Sequence, residues 1–364
     1  MLIVIPTYKR NAPLRLVLQS LVQSDLALVD EPIRVLVVNN YPPAAKEIEN
    51  IVNDFTVIKK FNWSILHREK TLDPIDNFYS AILANACEGE TVFLHGDDDI
   101  FYPKSIGERY QALLSFSADM LISWWDSRLI FDNDNGTVLL DLGVMDEHLE
   151  KKELVTKEVL LNNLAPYSPV FISTHVYRNN AIWRGALKRA FSWCEAQTWT
   201  DSKNTLMLPL YLPIAVILNG GVVSGMNKAC VIRGGSRDEL IGSKFGVTGW
   251  NSGYIALLAY QVLNNRDLAN EEKLDIERVQ LRKMAIQWFF TYWFDASLSK
   301  REVISSLRHA KLNIGVNDFI DLIYGLRLLV GEWFFIRRLK MIIRFKYKKG
   351  MTATEFISHM NEND

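Results

Sequence analysis

Short apolar runs that end in polar loops recur along the first hundred residues. Leu2-Ile3-Val4-Ile5 stops at Pro6 and gives way to Thr7-Tyr8-Lys9-Arg10-Asn11. Ile33-Arg34-Val35-Leu36-Val37-Val38 ends in Asn39-Asn40 ahead of Pro42-Pro43, and Trp63-Ser64-Ile65-Leu66 exits into His67-Arg68-Glu69-Lys70. Thr91-Val92-Phe93-Leu94 runs into His95-Gly96-Asp97-Asp98-Asp99. Continuous apolar runs bounded by turn residues suit strands that are covered on both faces. Between them, Leu14, Val17, Leu18, Leu21 and Val22 recur at helical spacing, with Asn11 as the cap and Pro13 in the first turn. Asp73-Pro74 reads as an N-cap and first-turn proline for a helix buried through Ile75, Phe78, Ile82 and Ala86. Strand and helix alternate from the start, which predicts right-handed crossovers, a largely parallel sheet, and loops that open on one edge.

Beyond residue 100 the pattern is more varied. Pro103 opens a helix with Ile106, Tyr110, Leu113 and Leu114 inward, and Met120–Trp125 reads as a strand. Arg128–Phe131 and Thr137–Leu142 flank Asp132-Asn133-Asp134-Asn135-Gly136, a hairpin signal whose aspartates form the turn. Thr156–Leu164 is expected as a short helix, Pro169–Tyr177 as a strand and Asn179–Phe191 as a helix. The apolar stretch after Asp201 contains Pro209 and Pro213, so a kinked or broken helix is expected there. Val222–Ser224 and Ala229–Ile232 read as short strands leading to a flexible basic loop, Arg233-Gly234-Gly235-Ser236-Arg237. From about Trp250 helical periodicity takes over, and the window Phe334–Lys349 holds seven basic residues and no acid.

A chain of 364 residues with 49% hydrophobic and 23% charged residues can bury a large core. Its formal net charge of −1 gives no footprint for wholesale nucleic-acid binding. Cys87, Cys194 and Cys230 are far apart and lack Cys-x-x-Cys spacing, so neither a disulfide framework nor a thiolate zinc site is indicated and a reducing, cytoplasmic setting fits. The first strand begins at Leu2, leaving no room for a secretory leader, and no long charge-free run suggests a spanning helix.

The acidic triplet changes this picture most. Asp97, Asp98 and Asp99 follow the fourth strand at the sheet edge where open α/β folds bind ligands. Adjacent like charges are most easily tolerated around a cation. Asp97 and Asp99, two residues apart, can offer hard oxygens to Mg²⁺ or Mn²⁺ together with substrate phosphates.

Ile3-Val4-Ile5-Pro6-Thr7-Tyr8-Lys9-Arg10, taken with Gly96-Asp97-Asp98-Asp99 some ninety residues later, resembles the nucleotide-sugar half of the family 2 glycosyltransferases with a GT-A fold. The stretch His67–Asp99, with Asn77 and Gly89, resembles the branch acting in bacterial surface-polysaccharide synthesis. The clear match covers about residues 1–130, and a weaker one reaches Arg237. The resemblance implies an α/β, Rossmann-like mixed sheet flanked by helices. It further implies a glycosyltransferase domain over 1–245, split into a nucleotide half (1–100) and an acceptor half (101–245), with a helical C-terminal extension over 246–364. The implied activity is inverting, metal-dependent transfer from a nucleotide sugar to a saccharide or lipid-linked saccharide. Two alternatives are a sugar-1-phosphate nucleotidyltransferase, which usually carries a Gly-x-Gly-x-Arg loop where Pro6-Thr7-Tyr8 stands here, and a non-catalytic polysaccharide-assembly protein.

The resemblance also implies roles for single residues. Pro6, Thr7, Tyr8, Arg10, Asn77, Asp97, Asp98 and Arg233 would contact the nucleotide sugar, and Asp97 and Asp99 would hold Mn²⁺ or Mg²⁺. Asn39 stands where the family commonly has an aspartate on the base. An amide both donates and accepts, which suits UDP, dTDP or CDP over GDP. Asp201, before a helix of the second half, matches the family's catalytic base, with Glu195 in reserve. Chemically, the basic and aromatic Phe334–Lys349 segment would suit an anionic membrane surface carrying a lipid-linked acceptor.

Overall fold

The computed structural model describes residues 1–131, 138–141, 152–154, 172–195 and 201–236 continuously, and further positions scattered between 279 and 355. Strands β1 (Leu2–Thr7), β2 (Ile33–Asn39), β3 (Phe61–His67) and β4 (Thr91–Leu94) form the parallel half of a mixed sheet. β1 lies between β2 and β4, so the chain works outward to β3 on one side and then returns to β4 on the other. Strand β9 (His175–Arg178) continues the sheet antiparallel to β4 and to β6 (Met120–Phe131). The order ends with β10 (Val223–Ser236) and the short β5 (Asp99–Phe101), while β7 (Val138–Asp141) pairs with β6 and β8 (Lys152–Leu154) with β10. This is the mixed GT-A plan expected from the sequence.

Period-two alternation explains why both faces of β1 are apolar. Ile3 and Ile5 pack with α1 (Asn11–Gln23), α2 (Ala45–Asn53) and α4 (Ser105–Ser115) on one side. Leu2 and Val4 pack with α3 (Pro74–Asn85), α5 (Ala181–Glu195) and α6 (Asp201–Leu218) on the other. The helices therefore change face between β1 and β4, and the crevice at such a switch point is where an open sheet receives a ligand.

Several expectations need correction. Asn11 is the first residue of α1 and not its cap; Arg10 stands at the cap without a side-chain capping bond, and Asn11 Nδ2 donates to Glu47 instead. Helix α2, with Ile48, Ile51 and Val52 buried, was not anticipated. Residues 172–174 form a 3-10 turn, so the strand expected from Pro169 begins only at His175. Of the kinked or broken helix expected, the break is absent: helix α6 continues through both prolines. Pro213 lacks the N–H that would reach the Pro209 carbonyl, so the defects share one face, and the surrounding residues Leu208, Leu210, Tyr211 and Leu212 are all fully buried. Packing on every side offsets the lost hydrogen bonds.

The two short strands expected around Met226 are one strand, β10, with register shifts between Met226 and Ala229 and again before Gly234. Arg233–Ser236, read as a flexible loop, belongs to it because β6 pairs with it as far as Ser236, while β5 pairs with Arg233 on the other edge. The β6–β7 pairing bears out the expected hairpin. The helix expected at 156–164, Arg237, the boundary near 245 and most of the C-terminal region lie outside the described residues. Among the described residues no helix is long and apolar enough to cross a membrane.

Candidate active site

Register alone brings the two motifs together. Leu94 pairs with Val4, and the His95 amide donates to the Val4 carbonyl at 2.9 Å, so the turn after β4 runs beside Pro6–Tyr8. Lys9 sits at φ 57°, in the left-handed region that costs a non-glycine residue energy. The Tyr8 amide donates to Asp97 Oδ2 at 3.2 Å, and Arg10 Nη1 donates to Asp97 Oδ1 at 3.2 Å and Asp98 Oδ2 at 2.5 Å. The loop after the first strand and the acidic turn thus close on each other through ionic contacts.

A pocket of about 410 Å³ opens beside this junction, lined by Pro6, Thr7, Tyr8, Arg10, Asn77 and Asp97 among the expected residues. Asn40, Thr71, Leu72, Pro74 and Phe78 complete it and were not anticipated. Asn40 fixes the far wall by donating to the Leu72 carbonyl and accepting from the Leu72 amide, each at 2.9 Å. Asp73 caps α3 by accepting from the Ile75 amide, and Arg68 Nε donates to Asn77 Oδ1 at 2.9 Å, so the helix start that lines the pocket is held from two sides. At the rim, Tyr8 meets Tyr41 edge-on at 5.6 Å, with Lys9 Nζ over both rings.

The three carboxylates have different surroundings. Asp98 is the most open, with 23% of its side chain exposed against 8% for Asp97. Burial pushes the Asp97 carboxyl up to about 6; the neighbouring Arg10 charge opposes this and the Asp98 charge adds to it. Asp99 begins β5 and is buried, and Ser173 Oγ donates to its carboxylate while accepting from the Gly96 amide at 2.8 Å. A Cβ at Gly96 would stand 3.0 Å from Asp99 Oδ2 and 3.3 Å from Asp98 Oδ1, so only glycine leaves the space between them open.

Among the described residues no three His, Cys, Asp or Glu side chains form a complete metal cage. Mg²⁺ and Mn²⁺ commonly bind through one or two carboxylates and take their other oxygens from phosphate and water. Asp97 and Asp98 converge on one positive group, the Arg10 guanidinium, while the Asp99 carboxylate accepts from Ser173; the hard oxygens of Asp97 and Asp99 are of the kind such an ion takes.

The remaining expected residues divide. Asn39 is buried; its Oδ1 accepts from the Tyr41 amide at 3.0 Å and its Nδ2 lies 3.2 Å from His67 Nδ1. Its amide is therefore engaged inside the protein, and Asn40 lines the pocket in its place. Arg233 pairs in backbone register with Asp99, which brings β10 to the acidic turn. Asp201 is the first residue of α6 and Glu195 the last of α5.

His95 turns away from the pocket. It stacks on Phe101 at 3.6 Å, and its Nε2–H donates to the Asp99 carbonyl at 2.8 Å. Burial first, and then the Arg109 charge, hold it well below its ordinary value and so neutral. His175 is likewise buried, with Nδ1 at 3.0 Å from the Tyr177 hydroxyl.

The model of "Glycosyl transferase family 2" matches residues 2–175, which hold both motifs and the whole pocket wall. No curated protein matches the sequence significantly. Among solved structures, S. aureus TarS 1-349 in complex with UDP is 14% identical, with 93% of this chain and 90% of that chain covered and a TM-score of 0.47. The mannosyltransferase PcManGT from Pyrobaculum calidifontis, in complex with GDP-Man and Mn²⁺, is 10% identical over 96% of this chain and 87% of that one, with a TM-score of 0.46. Likenesses at this distance carry no argument about ligand or acceptor. The matched residues, the sheet plan and the closed junction of the two motifs agree on a glycosyl transferase family 2 domain over residues 2–175, with the mixed sheet of a GT-A glycosyltransferase.

Proposed function

We propose that the pocket grips the nucleoside diphosphate of a sugar donor and that the sugar is passed, with inversion, to a saccharide or lipid-linked saccharide acceptor. The observation that carries this reading is the meeting of Tyr8 and Arg10 with Asp97 and Asp98 at the pocket mouth. Arg10 binds the diphosphate, and the Tyr8–Tyr41 pair offers aromatic surface to a base. Mn²⁺ or Mg²⁺ held by Asp97 and Asp99 would offset the charge that develops on the departing diphosphate. Three free thiols fit a cytoplasmic enzyme.

Asp201, as general base, takes the proton of the acceptor hydroxyl while that oxygen attacks the anomeric carbon. Asp201→Asn is expected to lower transfer by about 10²–10⁴-fold while donor affinity stays as in the wild type. Turnover in a radiolabelled-sugar assay and donor binding by calorimetry measure the two effects separately. Turnover retained in Asp201→Asn would remove this residue from the mechanism, and proton NMR of the product anomer tests inversion.

A further inference from the structure

The 3-10 turn Val316–Asp318 leads into helical residues 319–327, and this segment presents an apolar stripe to the outside. Its inward side carries Asp318, Asp321 and Gly325, with Leu322 packed on the apolar core. Asp318 is buried and accepts from both terminal nitrogens of Arg282, at 2.7 and 2.9 Å, and from the Gly315 amide at 2.8 Å. One turn later Asp321 Oδ1 accepts from Gln287 Nε2 at 2.9 Å. A further turn on, Gly325 comes so near Gln287 that a Cβ would stand 2.1 Å from its carbonyl oxygen. Positions 318, 321 and 325 share one helix face, so this inward orientation is held by ion pair, hydrogen bond and close backbone approach together.

The opposite side is apolar and exposed. Phe319 is 63% accessible, Ile320 77%, Ile323 52% and Tyr324 52%, and Val330 and Phe334 extend the exposed apolar series. Single exposed hydrophobes are ordinary, but a stripe at helical spacing marks an interaction surface. Its charge says which kind. Asp318 and Asp321 face inward and Glu332 lies outside the described residues, whereas Arg327 and Arg337 are exposed, and the sequence from Phe334 to Lys349 holds seven basic residues and no acid. Two such faces brought together would oppose cation to cation, while apolar side chains rimmed by cations match the boundary of a bilayer with anionic headgroups.

We infer that the exposed apolar face formed by Phe319, Ile320, Ile323, Tyr324, Val330 and Phe334 docks on an anionic membrane surface, with Arg327 and Arg337 at the headgroup phosphates. The test is flotation of the full-length protein with phosphatidylcholine vesicles that contain or lack phosphatidylglycerol. The wild type is expected to float with the anionic vesicles only, and less so at high salt. Ile320→Glu combined with Ile323→Glu should cut vesicle partitioning about tenfold or more. Val57→Glu, an exposed site between α2 and β3, should leave it unchanged. Arg327→Gln with Arg337→Gln, which spares the apolar stripe, should remove the preference for anionic lipid. The inference is overturned if the wild type stays unbound, if the paired glutamates float like the wild type, or if the same substitutions instead dissolve a stable dimer measured by light scattering.

Discussion

Asp99 shows how a single acidic side chain can be set from a distance. Its carboxylate faces Ser173, a residue of the second half, and the same hydroxyl takes the Gly96 amide. One serine therefore fixes both the start of the acidic turn and its last carboxylate. Ser173→Ala leaves a buried amide and a buried carboxylate each without that partner. Stability should fall by about 1–3 kcal/mol, read from urea unfolding. The variant should also need more Mn²⁺ for half-maximal donor binding, since the turn is no longer held. Wild-type stability and Mn²⁺ dependence together would show that Ser173 has no such role. No feature of the sequence pointed to Ser173, because its partners lie more than seventy residues away, whereas Tyr8, Arg10 and Asp97 were legible from chemistry and strand position. At the end of β2, Asn39 has its amide engaged inside the protein and Asn40 lines the pocket, a difference between neighbouring asparagines that the sequence does not show.

Among the elements, β2 and β4 are tied together across the end of β1 by one ion pair. Arg34 of β2 donates to both oxygens of Glu90, just before β4, and to the Asn85 carbonyl at the end of α3. Burial pushes the Glu90 carboxyl up, but the Arg34 hydrogen bond and charge and the Cys87 amide outweigh it and hold it below its ordinary value. A depressed carboxylate stabilises the fold above its unfolded pKa of about 4.5 and loses that contribution as pH falls through the lower folded value. Glu90→Gln should thus be less stable than the wild type by about 1–3 kcal/mol at neutral pH, with the gap closing in acid. Unfolding curves at neutral and acid pH measure it, and a gap of constant size would contradict the account. The parallel strands and α1 and α3 were legible because each pairs an apolar run with a turn or capping signal. Helix α6 and strand β10 were not, because the local signals of proline and glycine were overruled by burial on all sides and by capture between two strands.

At the scale of the whole molecule, the fold places its ligand site by topology. The helices change face beside β1, and the two loops at that crevice carry the tyrosine, arginine and carboxylates that a diphosphate and its cation require. The C-terminal apolar face is a separate device, and its failure on vesicles would leave the donor site untouched. We propose that the region after the expected division at residue 245 serves to bring the glycosyltransferase domain to its acceptor.

The most direct test of the account is calorimetric titration of UDP, with Mn²⁺ present, into the wild type, Arg10→Ala, Asp97→Asn and the double variant. If the two loops form one site, each single change weakens binding about tenfold or more, and the double change costs less than the sum of the two. Binding undiminished in either single variant, or strictly additive losses, would contradict it.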